Sequence, residues 1–174
     1  MIFTNEFLNF KSIDLNGIRT IQVMILSIIA MTVCQLLKFL IFSIKEHKLM
    51  FKTLMTTGGM PSSHTATVVT LVSSMAMFQL HDYGTLNYSF AVALIFATII
   101  IHDAMGVRLE SGKHAKILNN LVADKDLEVK KDLGYGKHGK LKELLGHKLT
   151  EVFGGFFLGL LVGIVGYFII VAFL

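Results

Sequence analysis

The sequence predicts an all-α protein, a polytopic transmembrane helical bundle with about four membrane helices. The chain is 53% hydrophobic, has a mean hydropathy of +0.66 and contains only 16% charged residues. Its apolar residues also fall in long runs. Runs of about 20 apolar residues are typical of membrane spans, whereas buried helices of soluble domains usually have about 10 to 14. The runs cover approximately residues 18–44, 62–80, 88–107 and 148–174.

These runs predict a single integral membrane domain over residues 1–174, with a polar loop at about 108–147. The first run is not typical of a cleaved signal peptide, because it is long, contains glutamines and lacks a small-residue cleavage pattern. Cys34 is the only cysteine, so no intrachain disulfide can form. The loop is long for a connector without secondary structure. It could be a lid, a disordered segment or a segment with a short amphipathic helix on the membrane.

Lysine and arginine are concentrated on one side of the predicted membrane. If all the runs span, residues 45–61 and 108–147 lie together and hold most of the basic residues, whereas the other side has only Lys11 and Arg19. This bias marks the basic side as cytoplasmic. A basic surface beside a bilayer also attracts anionic headgroups, although the lysines could equally serve only to set topology. We therefore expect membrane lipids as partners, and no nucleic acid.

A histidine–carboxylate pair begins the fourth run, at the cytoplasmic face where the polar residues of all the runs converge. His147 and Glu151 are four residues apart and so share one helix face. The carboxylate can accept an imidazole N–H, fix its tautomer and raise its basicity, unless this is an ordinary surface pair. The positions four, eight and twelve residues after Glu151 are Gly155, Gly159 and Gly163. These small residues on one helix face let another helix approach closely and could support a homo-oligomer.

The stretch GGMPSSH begins the second run and contains the only proline of the chain. The glycines allow unusual backbone conformations, and proline is well suited to the start of a helix. Ser62 or Ser63 can cap the free amides there, and such a helix start is a natural phosphate site. His64, in the first turn, could donate a proton to an oxygen that leaves a bound phosphate. An ordinary capped helix with an interfacial histidine is the alternative.

The first and third runs end on the same face with basic residues. Arg108 has a planar guanidinium suited to phosphate oxygens, and Asp103 could hold it in place. The two are five residues apart, so direct pairing requires the helix to end or bend near Gly106. Lys38 either extends to the headgroups or binds phosphate. His102 beside Asp103 is too weak a signal for a metal site, and we expect neither metal nor cofactor.

Three motifs resemble the signature blocks of the divergent type-2 phosphatidic acid phosphatase family, whose members are often described as acid phosphatase/vanadium-dependent haloperoxidase-related proteins. The motifs are GGMPSSH, DAMGVRLESGKHAKILN and LKELLGHKLTEVFGG, and the similarity runs from about Gln35 to the C-terminus. The resemblance implies the type-2 phosphatidic acid phosphatase fold. It also implies that His147 is the nucleophile, that Glu151 orients it and that His64 is the general acid. Ser62 and Ser63 would bind phosphate oxygens.

The sequence departs from the pattern of the larger superfamily at basic positions. Ser63 replaces the glycine of the PSGH-type block, and Leu141 stands where an arginine is expected six residues before the nucleophile. The usual upstream block of lysine and arginine is not recognisable. Arg108, Lys38 or Lys113 would have to supply the missing positive charge.

We therefore expect a membrane phosphatase that hydrolyses a lipid or polyprenyl phosphate monoester through a phosphohistidine at the cytoplasmic face. A non-catalytic membrane protein that binds phosphorylated lipids, as scaffold or regulator, is the main alternative, and the missing arginine block favours it. A transporter of phosphorylated lipids is a further alternative, but it should carry polar residues deep in the membrane.

Overall fold

The structure is a computed structural model that describes residues 2–49, 58–122, 141, 143 and 145–173, with side chains from residue 15 onward. Within these ranges the chain forms helices and no β-strand, which confirms the predicted all-α bundle. The helices are α1 Ile2–Glu46, α2 Ser63–Tyr83, α3 Tyr88–Met105, α4 Val107–Leu121 and α5 Leu149–Ala172.

Three stretches of the described chain are long and apolar enough to cross a membrane: Leu15–Glu46, Tyr88–Leu121 and Leu149–Ala172. The predicted second membrane helix, α2, is not among them. Its 21 residues would still cover about 31 Å, close to the thickness of the hydrocarbon core. α2 packs against α1, α3 and α5, so many of its side chains face protein rather than lipid. This central position explains why α2 tolerates more serine and threonine than its neighbours.

The helices alternate in direction, which brings four helix ends together. α1 and α2 are antiparallel, because Lys38 approaches Ser63 at one end and Arg19 pairs with Asp82 at the other. α5 runs parallel to α2 from the same end, where the Ser62 amide donates to the Glu151 carbonyl at 2.9 Å. α3 returns from the far end. The end where α2 and α5 begin is called the site end below, and the end with Arg19 and Asp82 is called the far end.

The glycine ladder of α5 packs against α2 of the same chain. Gly155, Gly159 and Gly163 are buried, and a methyl group at these positions would collide with α2, from Ser62 at its start to Ser73. Glycine is needed here because the two backbones approach too closely for a side chain. The predicted close packing is therefore intramolecular, and this face is not free to hold a second copy of the chain.

The predicted loop at about 108–147 contains a further helix. α3 ends at Met105, Gly106 adopts φ −97° and ψ −93°, and α4 follows from Val107 to Leu121. Leu, Glu, Lys and Ala are good helix formers, which is why this polar segment is helical rather than irregular. The remaining part of the predicted loop, at 123–140, lies outside the described residues.

Candidate active site

His147 lies immediately before α5 and is only 2% exposed. Its Nδ1 is 2.9 Å from Oε2 of Glu151, and since a carboxylate only accepts, Nδ1 carries the proton and donates it. The same carboxylate oxygen accepts the Lys148 backbone amide at 3.3 Å, which holds it in place. Nε2 is left with its lone pair. This atom is buried and has no hydrogen-bond partner in the described part of the chain.

The backbone around His147 is held by the junction of α3 and α4. The His147 amide donates to the Ala104 carbonyl at 2.9 Å. Gly146 has φ +74°, and a side chain there would collide with the backbone at Leu109. Both the positive φ and the close approach require glycine. Gly146 thus sets the position of the imidazole, and the sequence analysis did not identify it because a lone glycine before a helix is an ordinary signal.

The pKa of His147 lies below the usual range of histidine. Burial is the main cause, because it disfavours the charged imidazolium. The Glu151 carboxylate raises the pKa and offsets part of this effect, while the positive charges of Lys38 and Arg108 lower it further. The imidazole is therefore neutral near pH 7, and its Nε2 lone pair is free to attack or to accept a hydrogen bond.

His64 faces His147 from the first turn of α2. The two ring centroids are 6.0 Å apart, and the ring planes meet at 60°. The helix start is shaped by Gly59, which has φ +92° and packs against the ring of Phe42, as expected for the glycines of this stretch. At this spacing both imidazoles can contact the same small group from two sides.

The serines of the same helix start have different roles. Ser62 is the N-cap of α2, and its hydroxyl accepts the amide and the hydroxyl of Thr65. Its own amide is bonded to the Glu151 carbonyl, so Ser62 joins α2 to α5 and its hydroxyl hydrogen is the one donor it keeps for a ligand. Ser63 is buried, and its hydroxyl accepts from Lys38 at 3.5 Å. Of the two predicted phosphate-binding serines, Ser63 is the one beside a cation.

Lys38 is completely buried at the site end of α1. Its Nζ has one long hydrogen bond, to Ser63, among the contacts of the described residues. It lies within electrostatic range of Glu151, His64 and His147. Lys38 therefore points into the bundle. Of the two options that the sequence left open, extending to the headgroups is not the one observed.

Arg108 and Asp103 form an ion pair at the rim of the site. Arg108 Nε is 2.5 Å from Asp103 Oδ2, and the chain bends at Gly106 between them, as this pairing requires. Both side chains are partly exposed, and both lie within electrostatic range of His64. Lys113 is not brought to the site in the described structure. It lies on α4, is 59% exposed and pairs with Glu110 at 2.6 Å.

The far end holds a second polar cluster that the sequence analysis missed. Arg19 donates through Nε and Nη2 to Asp82 at 2.8 and 3.1 Å and through Nη1 to Gln22 at 3.0 Å. The guanidinium also stacks over Phe78 at 4.6 Å. The interpretation that polar residues converge on one face was therefore incomplete. Arg19 and Asp82 lie on different helices and share no spacing pattern that would have paired them.

The fold and the site define a helical membrane protein with two histidines, one of them held by a carboxylate, and a buried lysine at one end of the bundle. The chain belongs to the Divergent PAP2 family, whose model matches residues 20–162. It is also 39% identical over 145 residues to the uncharacterized membrane protein YuiD of Bacillus subtilis (strain 168), across 80% of this chain and 89% of YuiD. No solved structure matches. The family resemblance carried by the motifs is thereby confirmed.

Proposed function

We propose that the protein is a membrane phosphatase that hydrolyses a lipid or polyprenyl phosphate monoester through a phosphohistidine at His147. One observation carries this proposal: Nε2 of His147 is buried, has a free lone pair and lacks a partner, while Glu151 fixes the proton on Nδ1. A buried polar atom is normally satisfied, so an unpaired one that faces other ionisable groups is expected at a binding or catalytic site.

Positive groups around this atom favour an anionic substrate. Lys38 is buried with a single long hydrogen bond and no direct ion pair in the described structure, and a buried charge without a direct partner is costly unless a ligand supplies one. The backbone amides of Ser63 and His64, in the first turn of α2, have no hydrogen-bond partner within the described chain. Free amides at a helix N-terminus bind phosphate oxygens well. Arg108 adds a further cation at the rim.

In the first step, the lone pair of His147 Nε2 attacks phosphorus, and the bond from phosphorus to the lipid oxygen breaks. The leaving oxygen takes its proton from His64, which faces His147 with a ring-centroid separation of 6.0 Å. Glu151 stabilises the positive charge that develops on the His147 ring. Lys38 and the helix amides stabilise the charge on the phosphoryl oxygens, which supplies most of the rate in this type of reaction.

In the second step, neutral His64 accepts a proton from a water molecule, and the water oxygen attacks phosphorus. The bond between phosphorus and Nε2 breaks, inorganic phosphate leaves, and both histidines regain their starting states. The sequence as proposed requires no metal, because imidazole is the nucleophile and side chains with backbone amides supply the positive charge.

An apolar groove beside the site supports a lipid substrate. It lies between α2, α3 and α5, has a volume of about 360 Å³, and includes Val69, Leu94, Ile101 and Phe156 in its lining. Its end near Ile101 is two residues from Asp103 along α3. A hydrocarbon chain in this groove would keep the phosphate at the site end. The excess of lysine and arginine on this side supports a cytoplasmic site.

A non-catalytic phosphate-binding protein remains the second candidate, and the structure contains one observation in its favour. The amide of Ser62 is used within the protein, and Leu141 occupies the position of an expected arginine. Fewer donors are then left for transition-state charge than the superfamily pattern provides. This candidate binds vanadate but does not release phosphate.

Phosphate release by the purified protein in detergent tests the proposal. The substrates are phosphatidic acid, phosphatidylglycerol phosphate and prenyl phosphates, with EDTA present, and His147→Ala is the control. We expect metal-independent release from at least one lipid and none from the variant, which should elute from gel filtration like the native protein. Vanadate binding without release from any lipid would favour the non-catalytic candidate, and full turnover by His147→Ala would refute the mechanism.

A further inference from the structure

Helix α4 has an apolar face that the described part of the protein does not cover. Val107, Ile117, Leu118 and Leu121 are 65%, 56%, 45% and 71% exposed. At 100° per residue they fall within an arc of about 100° on one side of the helix. Two polar residues lie on the same arc: Glu110, which pairs with Lys113, and the exposed His114. An apolar stripe of this kind is expected to be buried against another surface.

Contacts with the segment before α5 fix which side of α4 faces outward. Asn119 exchanges hydrogen bonds with the backbone of Leu141, donating to its carbonyl at 3.0 Å and accepting its amide at 2.8 Å. About two turns earlier, Gly112 packs so closely on the Glu143 carbonyl that a side chain would not fit. These contacts occupy the side of α4 opposite the apolar arc. The arc therefore cannot turn inward without losing them.

The position of α4 along the chain indicates what covers the arc. The 18 residues of α3 extend over about 27 Å, nearly the full thickness of the hydrocarbon core. The chain bends at Gly106, so α4 starts where the core ends and the headgroups begin. Lys113 lies about 40° from one edge of the arc and Lys116 about 100° from that edge, while Arg108 lies about 80° from the other edge. This arrangement is typical of helices that lie in the interface of an anionic membrane.

We infer that α4 is an interfacial helix that docks on an anionic lipid surface, with its apolar arc in the acyl boundary and its lysines at the phosphates. Lys113, which the sequence analysis assigned to the substrate site, is then a membrane-surface residue. α4 also contacts Leu141, Glu143 and Gly146, which precede His147, so the bilayer surface contributes to the position of that imidazole. The inference depends on the geometry of α4 and not on turnover.

Depth-dependent quenching of a fluorophore tests this placement. Cys34 is the only native cysteine, so single cysteines can be introduced in a Cys34→Ala background at Leu118 and Leu121. Lys116→Cys is the matched control, because Lys116 lies two residues from Leu118 and about 160° around the helix from it. The labelled full-length chains are reconstituted into phosphatidylcholine–phosphatidylglycerol vesicles with or without brominated lipids. Each variant must first elute as a single species in detergent.

We expect brominated lipids to quench the probes at 118 and 121 roughly twofold or more, and the probe at 116 little. Equal quenching at all positions, or no quenching at any, would overturn the inference. A disulfide between copies at position 118 without lipid quenching would also overturn it, since the arc would then be a protein interface. Replacing Lys113 and Lys116 with glutamine should reduce quenching at 121 in anionic vesicles, whereas Lys45→Gln should not. Unchanged quenching in the double variant would refute the role of anionic lipid.

Discussion

Both ends of the bundle contain charged residues, but Arg19 at the far end is paired with a carboxylate by hydrogen bonds, whereas Lys38 at the site end has no such pair among the described residues. At the far end, the guanidinium of Arg19 makes two hydrogen bonds to Asp82, at 2.8 and 3.1 Å. At the site end, Lys38 has one hydrogen bond of 3.5 Å, and Nε2 of His147 has none in the described structure. At the far end, the charged groups are therefore paired within the protein, and the pair connects α1 to α2. The site end has unused donors and a free lone pair, and it is expected to bind an anion.

Energetics explain why this difference points to function. A buried ion pair with good geometry compensates the loss of hydration, whereas a buried charge without a partner is destabilising. Lys38 is as deeply buried as any side chain in the described structure, yet it forms no direct ion pair there, and the Glu151 carboxylate acts on it only at a distance. Such an arrangement is expected where a ligand supplies the missing charge. Substitutions at the two ends should therefore have opposite consequences for stability and turnover.

After His147→Ala, which should abolish turnover, His64→Gln should have the largest effect on turnover at the site end. Loss of a positioned general acid typically lowers kcat by about 10² to 10⁴. The loss should be smaller for an aryl phosphate, because its leaving group needs less protonation. Steady-state kinetics on a lipid phosphate and an aryl phosphate measure both effects. An equal loss on the two substrates would argue against His64 as the acid.

Asp82→Asn should have the largest effect on stability at the far end. The Asp82 carboxylate is 4% exposed, and its loss leaves the Arg19 guanidinium, which is 14% exposed, without a counter-ion. Breaking a buried pair in this way costs about 3 to 5 kcal/mol. Denaturant titration in mild detergent measures the free energy of unfolding, and turnover below the transition should stay near that of the native protein. A stable Asp82→Asn variant that loses turnover would place chemistry at the far end.

Lys38→Met should do the opposite of Asp82→Asn: it should lose turnover and keep stability. Methionine keeps much of the volume of lysine and removes a buried charge that has no direct ion-pair partner, so the free energy of unfolding should be unchanged or higher. Loss of one group that stabilises transition-state charge costs about 10² to 10³ in kcat. The same denaturant titration and kinetics apply. A variant that is both destabilised and fully active would mean that Lys38 is only structural.

Glu151→Gln should have the smallest effect on rate and should shift the pH profile. The carboxylate raises the pKa of His147, which burial has lowered, so its removal lowers that pKa further. Neutral His147 is the reactive form, so the rate falls when His147 becomes protonated. In the native protein, this acid limb of the pH profile lies below the ordinary histidine pKa of about 6.5. In the variant it should move to still lower pH. We expect a roughly tenfold lower maximum rate, from loss of imidazolium stabilisation. An acid limb that moves to higher pH would contradict the assignment.

The same lowered pKa predicts the direction of a stability change. Because the folded state binds a proton on His147 less readily than the unfolded chain, protonation favours unfolding. The contribution of His147 to the free energy of unfolding is therefore lost as pH falls below about 6.5, the ordinary value in the unfolded chain. Comparing the native protein with His147→Asn across this range checks the sign.

Local spacing in the sequence predicted the pairs of site residues that are close in the chain. The interval of four between His147 and Glu151 becomes the observed hydrogen bond, although His147 precedes α5 and does not share a helix face with Glu151. The pairing of Asp103 with Arg108 occurs through a bend at Gly106 between α3 and α4. The start of α2 could be predicted from its proline, serines and glycines. In each case the residues are close in the chain, so periodicity and helix-start rules are sufficient.

Tertiary contacts account for what the sequence could not predict. The inward direction of Lys38 depends on how α1 is rotated against α2, and an apolar run does not specify that rotation. Gly146 is required by the close approach of α4, which belongs to a segment that polarity alone assigned to a loop. The glycine ladder of α5 was recognised as a packing surface, but its partner, α2 of the same chain, follows only from the arrangement of the helices.

The most direct test of the central claim is the identification of the phosphorylated residue. The full-length protein in detergent is mixed with a substrate that carries labelled phosphate, quenched rapidly in alkali and analysed by peptide mapping. The account predicts an acid-labile, alkali-stable label on His147 that is absent from His147→Ala. With an aryl phosphate, whose leaving group needs less protonation, the label should accumulate in His64→Gln, because hydrolysis of the intermediate is slower in that variant. A label on another residue, or turnover that persists in His147→Ala, would contradict it.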